Sequence, residues 1–278
     1  MKILQVIHDF LPDHAAGSEV YTAHLAHQLR RLGHEVVILT TEKHDDRLQY
    51  QVIEREHQGL RVVEVVYNRV IADLEESYDD PGMEAVLRRL LVLLAPDLVH
   101  VQSLVYFGVG LLRATRALAI PTVMTLHEYH LLCPRAGLLY DVDGQLCEQV
   151  DAARCSRCVA GQPLQRSRYQ DGDLARTSFA ELGERRFYAR AVERRLLRTR
   201  AAFAGRDAIR VAIAIPEAHV RRPGLAPDRI RHVPESCRHA RGAAGLRAWG
   251  RAAGSSSRRH AVGAKGVHLL VDAFTAPR

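Results

Sequence analysis

The feature that most constrains this chain is an alternation, begun at its second residue, between short apolar runs and segments with a helical period. Lys2 to His8 (KILQVIH) reads as a buried strand, and Phe10 to Gly17 brings a proline and a glycine before Ser18 opens a helix. Apolar residues at Val20, Leu25, Leu29 and Leu32 keep to one helical face, and Gly33 stands where a glycine ends a helix. His34 to Thr41 (HEVVILTT) is a second strand, apolar enough to be buried on both sides.

The alternation continues with strand-like Leu60 to Val66, a helix from Met83 to Leu94 closed by Pro96, and a strand from Asp97 to Gln102. A helix from Gly108 to Ala119 and a strand from Pro121 to Leu126 follow. Strands and helices so interleaved imply right-handed crossovers, and the expected class is α/β with a Rossmann-like, doubly wound parallel sheet. Between Leu131 and Gly172 periodicity stops, which predicts a long functional or metal-stapled loop rather than a core element. Leu174 to Arg200 reads as a long basic amphipathic helix, Ala208 to Ile215 as one more strand, and Ala218 to Ile230 as a short helix and turn.

With 47% hydrophobic and 26% charged residues the balance is that of a globular protein. No stretch reaches the roughly 18 to 20 apolar residues of a membrane span, and MKILQVIH enters a strand without a leader pattern. The expectation is a cytoplasmic protein with, at most, peripheral membrane contact. The net charge of +7 hides a split: 18 basic and 25 acidic residues precede Glu184, whereas 21 and 7 follow from there on. A basic half can attract nucleic acid, anionic lipid or nucleotide phosphates, or be a set of solvated helix arginines. Arginine outnumbers lysine 36 to 3, as GC-rich coding DNA would produce.

Three constellations could carry chemistry. The turn Ala15-Ala16-Gly17-Ser18-Glu19 lies between the first strand and a helix. There Gly17 would let the backbone approach a ligand while the helix N-terminus favours a phosphate; alternatively Gly17 only permits a tight turn. The turn is not the GxGxxG fingerprint, so hydride transfer finds no support. The second is Thr125-Leu126-His127-Glu128-Tyr129-His130, at the carboxyl end of a strand, where ligands of open α/β sheets bind. His127 could move a proton or hydrogen-bond a sugar hydroxyl there, or be a structural histidine. The third is Cys133, Cys147, Cys155 and Cys158, spaced C-x13-C-x7-C-x2-C. Structural zinc, free thiols and a redox pair are all open to it, zinc being favoured in a reducing compartment. Cys237 lies outside the set.

These residues also carry a family resemblance. The stretch FLPDHAAGSEVYTAHLAHQLRRLGHEVVILT resembles the opening of family 4 glycosyltransferases, and PDLVHVQS and IPTVMTLHEYHLLCPR resemble later signatures of the same N-terminal domain, together covering residues 1 to 160. A weaker echo lies in GLAPDRIRHVP. The resemblance implies the acceptor-side half of a GT-B fold and retaining transfer of a hexose from a nucleotide sugar, a UDP- or GDP-sugar, to a glycan or lipid-linked acceptor hydroxyl, without an obligatory metal. It places Gly17 as the second glycine of the loop that approaches the donor diphosphate, and His127 as the histidine that contacts the donor sugar. Ala16 replaces the family's first glycine, and Gln102 replaces the second histidine of its His-Val-His. Similar cysteine loops occur in family members.

Residues 1–234 are thus expected to form the acceptor-side domain, with the cysteine loop at 131–172. After Pro234 the resemblance stops: Ser236 to Val262 is an Arg-, Ala-, Gly- and Ser-rich stretch with no apolar face. It returns at Lys265-Gly266, where the family's lysine contacts donor phosphates; a solvated Lys265 is the alternative. Residues 235–278 are accordingly expected to be a remnant of the nucleotide-sugar-binding domain, arising from a truncated or disrupted reading frame, and the chain alone to be inactive. A noncatalytic acceptor-binding or scaffold protein is the second function class, and a zinc-loop nucleic-acid-binding protein the third. Against the third stand 6% aromatics and the absence of a nucleic-acid-binding motif, so nucleic acid is not expected as a partner.

Overall fold

The computed structural model describes residues 1–68, 74–127, 129, 130, 132–134, 141, 143, 145, 147, 150–160, 185–203, 209–213 and 230–232. They belong to one compact unit, Met1–His232. Lys265, Cys237 and the expected remnant at 235–278 lie outside the described residues.

The chain runs β1 (Lys2–Val6), α1 (Gly17–Arg31), β2 (Glu35–Glu42), β3 (Val52–His57), β4 (Leu60–Val66), α2 (Pro81–Leu94), β5 (Leu98–Val101), α3 (Gly110–Ala117) and β6 (Thr122–Leu126). It continues with α4 (Ala152–Ala160), α5 (Arg185–Phe203), β7 (Ile209–Ile213) and β8 (Ile230–His232). The strands form one sheet in the order β3-β4-β2-β1-β5-β6-β7-β8. Every neighbouring pair is parallel except β3 with β4. Apart from β3 and β8, the order begins at β1 in the middle, winds outward to β4, then returns to wind the other way through β5, β6 and β7. This is the doubly wound arrangement expected from the sequence, with its switch point between β1 and β5.

The local chemistry explains where the helices begin and end. The Asp80 side chain caps α2 by accepting from the backbone N–H of Gly82 at 2.9 Å and Met83 at 3.2 Å, and Pro81 fills the first helical position. The helix thus starts two residues before the apolar period alone predicts. Gly33, at φ +85, closes α1 as expected, its N–H bonding to the Arg30 carbonyl at 2.9 Å. Gly108 has φ +63, and a Cβ there would stand 2.5 Å from the Tyr78 carbonyl oxygen, so only glycine fits.

Leu4, Val6, Val99, Val101 and Met124 from the sheet meet Leu87, Leu91, Phe107 and Leu111 from the α2–α3 side to form the core. Two elements depart from the sequence reading. Strand β3 was not anticipated; it makes a hairpin with β4 through Gln58 and Gly59, both at positive φ. The segment expected as a loop without a core element contains α4, whose Val159 is buried in the core. Within the basic segment the described helix is α5, which ends at Phe203; residues 174–184 lie outside the described residues.

Candidate functional site

Parallel strands put the carboxyl ends of β1, β5 and β6 along one edge of the sheet, beside the switch point. Gln5 lies within β1, opposite His100 of β5 in the strand register. Gln102 immediately follows β5, Thr125 lies within β6, and His127 follows β6 directly. The side chains of Gln5, His100 and Gln102 are at most 1% exposed, an expensive placement for polar groups unless they bond to one another.

They do. Gln102 donates from Nε2 to Oε1 of Gln5 at 2.8 Å, and Oε1 of Gln102 lies 2.8 Å from Nε2 of His127. His100 Nε2 bonds to the Thr125 hydroxyl at 2.8 Å. Burial pushes His100 down to about 3, so its ring is neutral. His127 itself is half-buried, and its ring meets the edge of Tyr21 at 5.0 Å between centroids. Tyr21 is on the second turn of α1, so the helix that Gly17 opens reaches His127.

Gly17 is the first residue of α1, preceded by Ala16, whose side chain makes no cap. A Cβ on Gly17 would meet nothing within 4 Å, and its φ is not in the left-handed region. The fold therefore does not demand glycine here, unlike at Gly108, and the tight-turn alternative has no support. Beside this turn, two buried carboxylates that the sequence reading passed over, Asp9 and Glu19, flank His8. Its Nε2 lies 3.7 Å from Asp9 Oδ2 and 3.8 Å from Glu19 Oε1. Of the described residues, this is the group of three whose ligand-type atoms all lie within 4.8 Å of one another.

Between the ends of β5 and β6 sits a cavity of about 10 Å³ lined by Gln102, Ser103, Thr125, His127 and His130. That is room for about one water, not for a sugar ring. His130 is buried and held neutral, its value pushed down to about 3 first by burial and then by the nearby Arg195.

None of the four expected metal ligands is in a disulfide. Cys155 and Cys158 are a helical turn apart on α4, and the Cys147 segment is tied to that helix by an Asp141–Arg154 ion pair of 2.7 Å. Cys133 and Cys158 are buried. After burial, Cys133, Cys158 and Cys147 each act through their charge to raise the Cys155 thiol, so the four stand in one neighbourhood. Burial pushes the Cys155 thiol up to about 11, the opposite of what a reactive thiolate needs.

Sequence reasoning singled out His127 and Gly17 as candidates but not the buried amides behind His127. Gln102 was legible only as a departure from a motif, and Gln5 as a lone polar residue in an apolar strand. No helix among the described residues is long and apolar enough to cross a membrane.

Comparison with known proteins gives one sequence family. Residues 15–172, more than half of the chain, match Glycosyltransferase Family 4. No curated protein sequence matches. Among solved structures, the catalytic domain of starch synthase IV from Arabidopsis thaliana, bound to ADP and acarbose, is similar at 14% identity and a TM-score of 0.34. The match covers 46% of this chain and 34% of that one. A UDP-GlcNAc 2-epimerase from Neisseria meningitidis bound to UDP-GlcNAc is 16% identical with a TM-score of 0.31, over 47% of this chain and 34% of that one. An E. coli trehalose-6-phosphate structure bound with UDP-2-fluoro glucose is 13% identical with a TM-score of 0.32, over 46% and 33%. The matched region thus spans about a third of the length of these structures.

Proposed function

The chain belongs to Glycosyltransferase Family 4, and on that premise we propose that it provides the acceptor-side half of a GT-B enzyme that transfers a hexose, with retention, from a UDP- or GDP-sugar to a glycan or lipid-linked acceptor hydroxyl. The observation that carries the reading is the position of His127. It follows β6 on the ligand-binding edge of the sheet, within ring contact of the helix that Gly17 opens. In this reading His127 hydrogen-bonds the donor sugar. The uncapped first turn of α1, with open space over Gly17, receives a phosphate of the donor or part of the acceptor.

Chemistry in such a cleft is positioning and electrostatics: the edge of this half would orient the acceptor hydroxyl and the sugar, and preorganised N–H groups would meet the developing charge on the leaving diphosphate. The second reading is acceptor binding without transfer.

The test is label transfer. The protein, joined to the nucleotide-sugar-binding half of a GT-B enzyme, is incubated with radiolabelled UDP- and GDP-sugars and a panel of glycan and lipid-linked acceptors, with acceptor binding measured in parallel. Transfer that His127→Gln removes supports the enzyme; acceptor binding without transfer supports the scaffold; neither binding nor transfer sinks both.

We propose further that the four cysteines take one structural zinc. The spacing of the last two and the ion pair that holds the Cys147 segment to α4 support this. No catalytic step runs through such an ion.

A further inference from the structure

We propose that Gln102 is a positioning residue that holds His127 in the tautomer protonated on Nε2, so that Nδ1 acts as a hydrogen-bond acceptor. The consequence for ligand recognition rests on the reading of His127 above; the tautomer does not.

The argument begins with what an amide can do. Its oxygen only accepts and its nitrogen only donates, so the way Gln102 faces decides which atom of His127 carries the proton. Oε1 of Gln102 lies 2.8 Å from Nε2 of His127, and in the neutral ring the nitrogen facing an oxygen must bear the hydrogen. One contact holds the amide this way round, and a second agrees with it without fixing it, since Gln5 is itself an amide whose Nε2 has no partner among the described residues and can face Gln102 with either atom. On one side Nε2 of Gln102 donates to Oε1 of Gln5 at 2.8 Å. On the other the same nitrogen lies 3.2 Å from Nε2 and 3.3 Å from Nδ1 of His100.

Near-equal distances to both ring nitrogens put the amide nitrogen over the face of the His100 ring rather than in line with either lone pair. An N–H is attracted to that electron-rich face, whereas a carbonyl oxygen turned toward it would be repelled. His100 is itself fastened by Thr125 at 2.8 Å, so the face does not turn away. All these groups except His127 are almost fully buried, and no bulk water competes for the amide. The strand register contributes as well: Gln5 and His100 are opposite one another on β1 and β5, which sets both of Gln102's supports on adjacent strands at the switch point.

A ring so held cannot donate from Nδ1 while it is neutral. It would take a hydrogen bond from a hydroxyl, the group a sugar presents in quantity, and would not donate one to a phosphate oxygen. This narrows the ligand chemistry at Nδ1 of His127 to hydrogen-bond donors, a sugar hydroxyl among them.

The experiment is a long-range ¹H–¹⁵N correlation spectrum of the full chain labelled with [¹⁵N]histidine, at a pH where the ring is neutral. The His127 signals are identified by their loss in His127→Gln. A protonated Nε2 with a bare Nδ1 is expected. In Gln102→Leu the preference should collapse toward a mixture of tautomers, and in Gln102→Glu, whose carboxylate can only accept, the Nε2–H form should persist. An Nδ1–H form in the native chain, or in Gln102→Glu, overturns the proposal, as does an unchanged tautomer in a folded Gln102→Leu. Should Gln102→Leu fail to fold by circular dichroism, the native chain and Gln102→Glu still decide. The spectrum needs no substrate, so absent glycosyl transfer leaves the tautomer standing and a wrong tautomer leaves transfer standing.

Discussion

Arg198 and Asp79 are 119 residues apart in the chain and 2.5 Å apart in the fold. Arg198, on α5, also reaches Glu75 at 2.7 Å, and Arg113 of α3 bonds both Asp79 and Glu84 of α2. Arg116 adds a hydrogen bond to the Ala202 carbonyl at 2.5 Å. Arg195, fully buried, donates to the His130 carbonyl and lies over the Tyr78 ring at 5.6 Å. The excess of basic charge in the second half of the sequence is thus partly spent inside the fold, against the acidic first half.

The junction should be acid-sensitive. Burial alone would raise the Asp79 carboxyl, but hydrogen bonds from Arg113 and Arg198 outweigh it and hold the group below its ordinary value; Glu84 is lowered in the same way by Arg113 and Arg88. A carboxyl lowered in the folded state stabilises the protein above its unfolded value of about 4, and that contribution is lost as pH falls through the folded value. The melting temperature should therefore drop below about pH 4. Asp79→Asn should cost about 1–3 kcal/mol at pH 7 and flatten the acid slope. An Asp79→Asn protein that melts like the parent at both pH values would show that the cluster is ornamental.

His127 should matter more to turnover than to folding, provided its bond to Gln102 is kept. His127→Ala would strand the buried amide oxygen, at about 1–3 kcal/mol, and confuse the two effects. His127→Gln retains an N–H at the position of Nε2. Its melting temperature should stay within a few degrees of the parent while, in the protein joined to a nucleotide-sugar-binding half, glycosyl transfer falls at least about tenfold, about 1.4 kcal/mol of barrier. Normal transfer by His127→Gln would remove the residue from the chemistry.

Two glycines should respond oppositely to alanine. Gly17→Ala fills open space at the start of α1 and should leave stability unchanged or raise it by about 0.4–1 kcal/mol, while weakening donor binding if a phosphate approaches there. Gly108→Ala drives a methyl into the Tyr78 carbonyl at positive φ and should cost about 2 kcal/mol or more. Thermal melts of the pair check both, and a destabilised Gly17→Ala would mean that the turn itself requires glycine.

Protein purified under reducing conditions is expected to carry about one zinc per chain, lost in Cys158→Ser together with a fall in melting temperature. Four thiols that titrate freely, with no metal, would leave Cys133 and Cys158 as simple buried core groups.

The sequence by itself determined the alternating elements, and with them the parallel, doubly wound sheet, because buried parallel strands and amphipathic helices each leave a period that can be read without contacts. It also placed His127 at a strand end and Gly17 at a helix start. It did not show β3, whose Val-Ile-Glu-Arg-Glu-His run looks solvated until Arg55 meets the buried Glu64 of β4 at 3.0 Å. Nor did it show α4, whose short apolar face is useful only once Val159 has a core to enter. Tertiary structure alone decided the arrangement behind His127. Gln5 and Gln102 are separated by 97 residues, and neither is informative until adjacent strands set their amides 2.8 Å apart in a place without water. The direction of a hydrogen bond depends on which atoms face each other, and no local period encodes that.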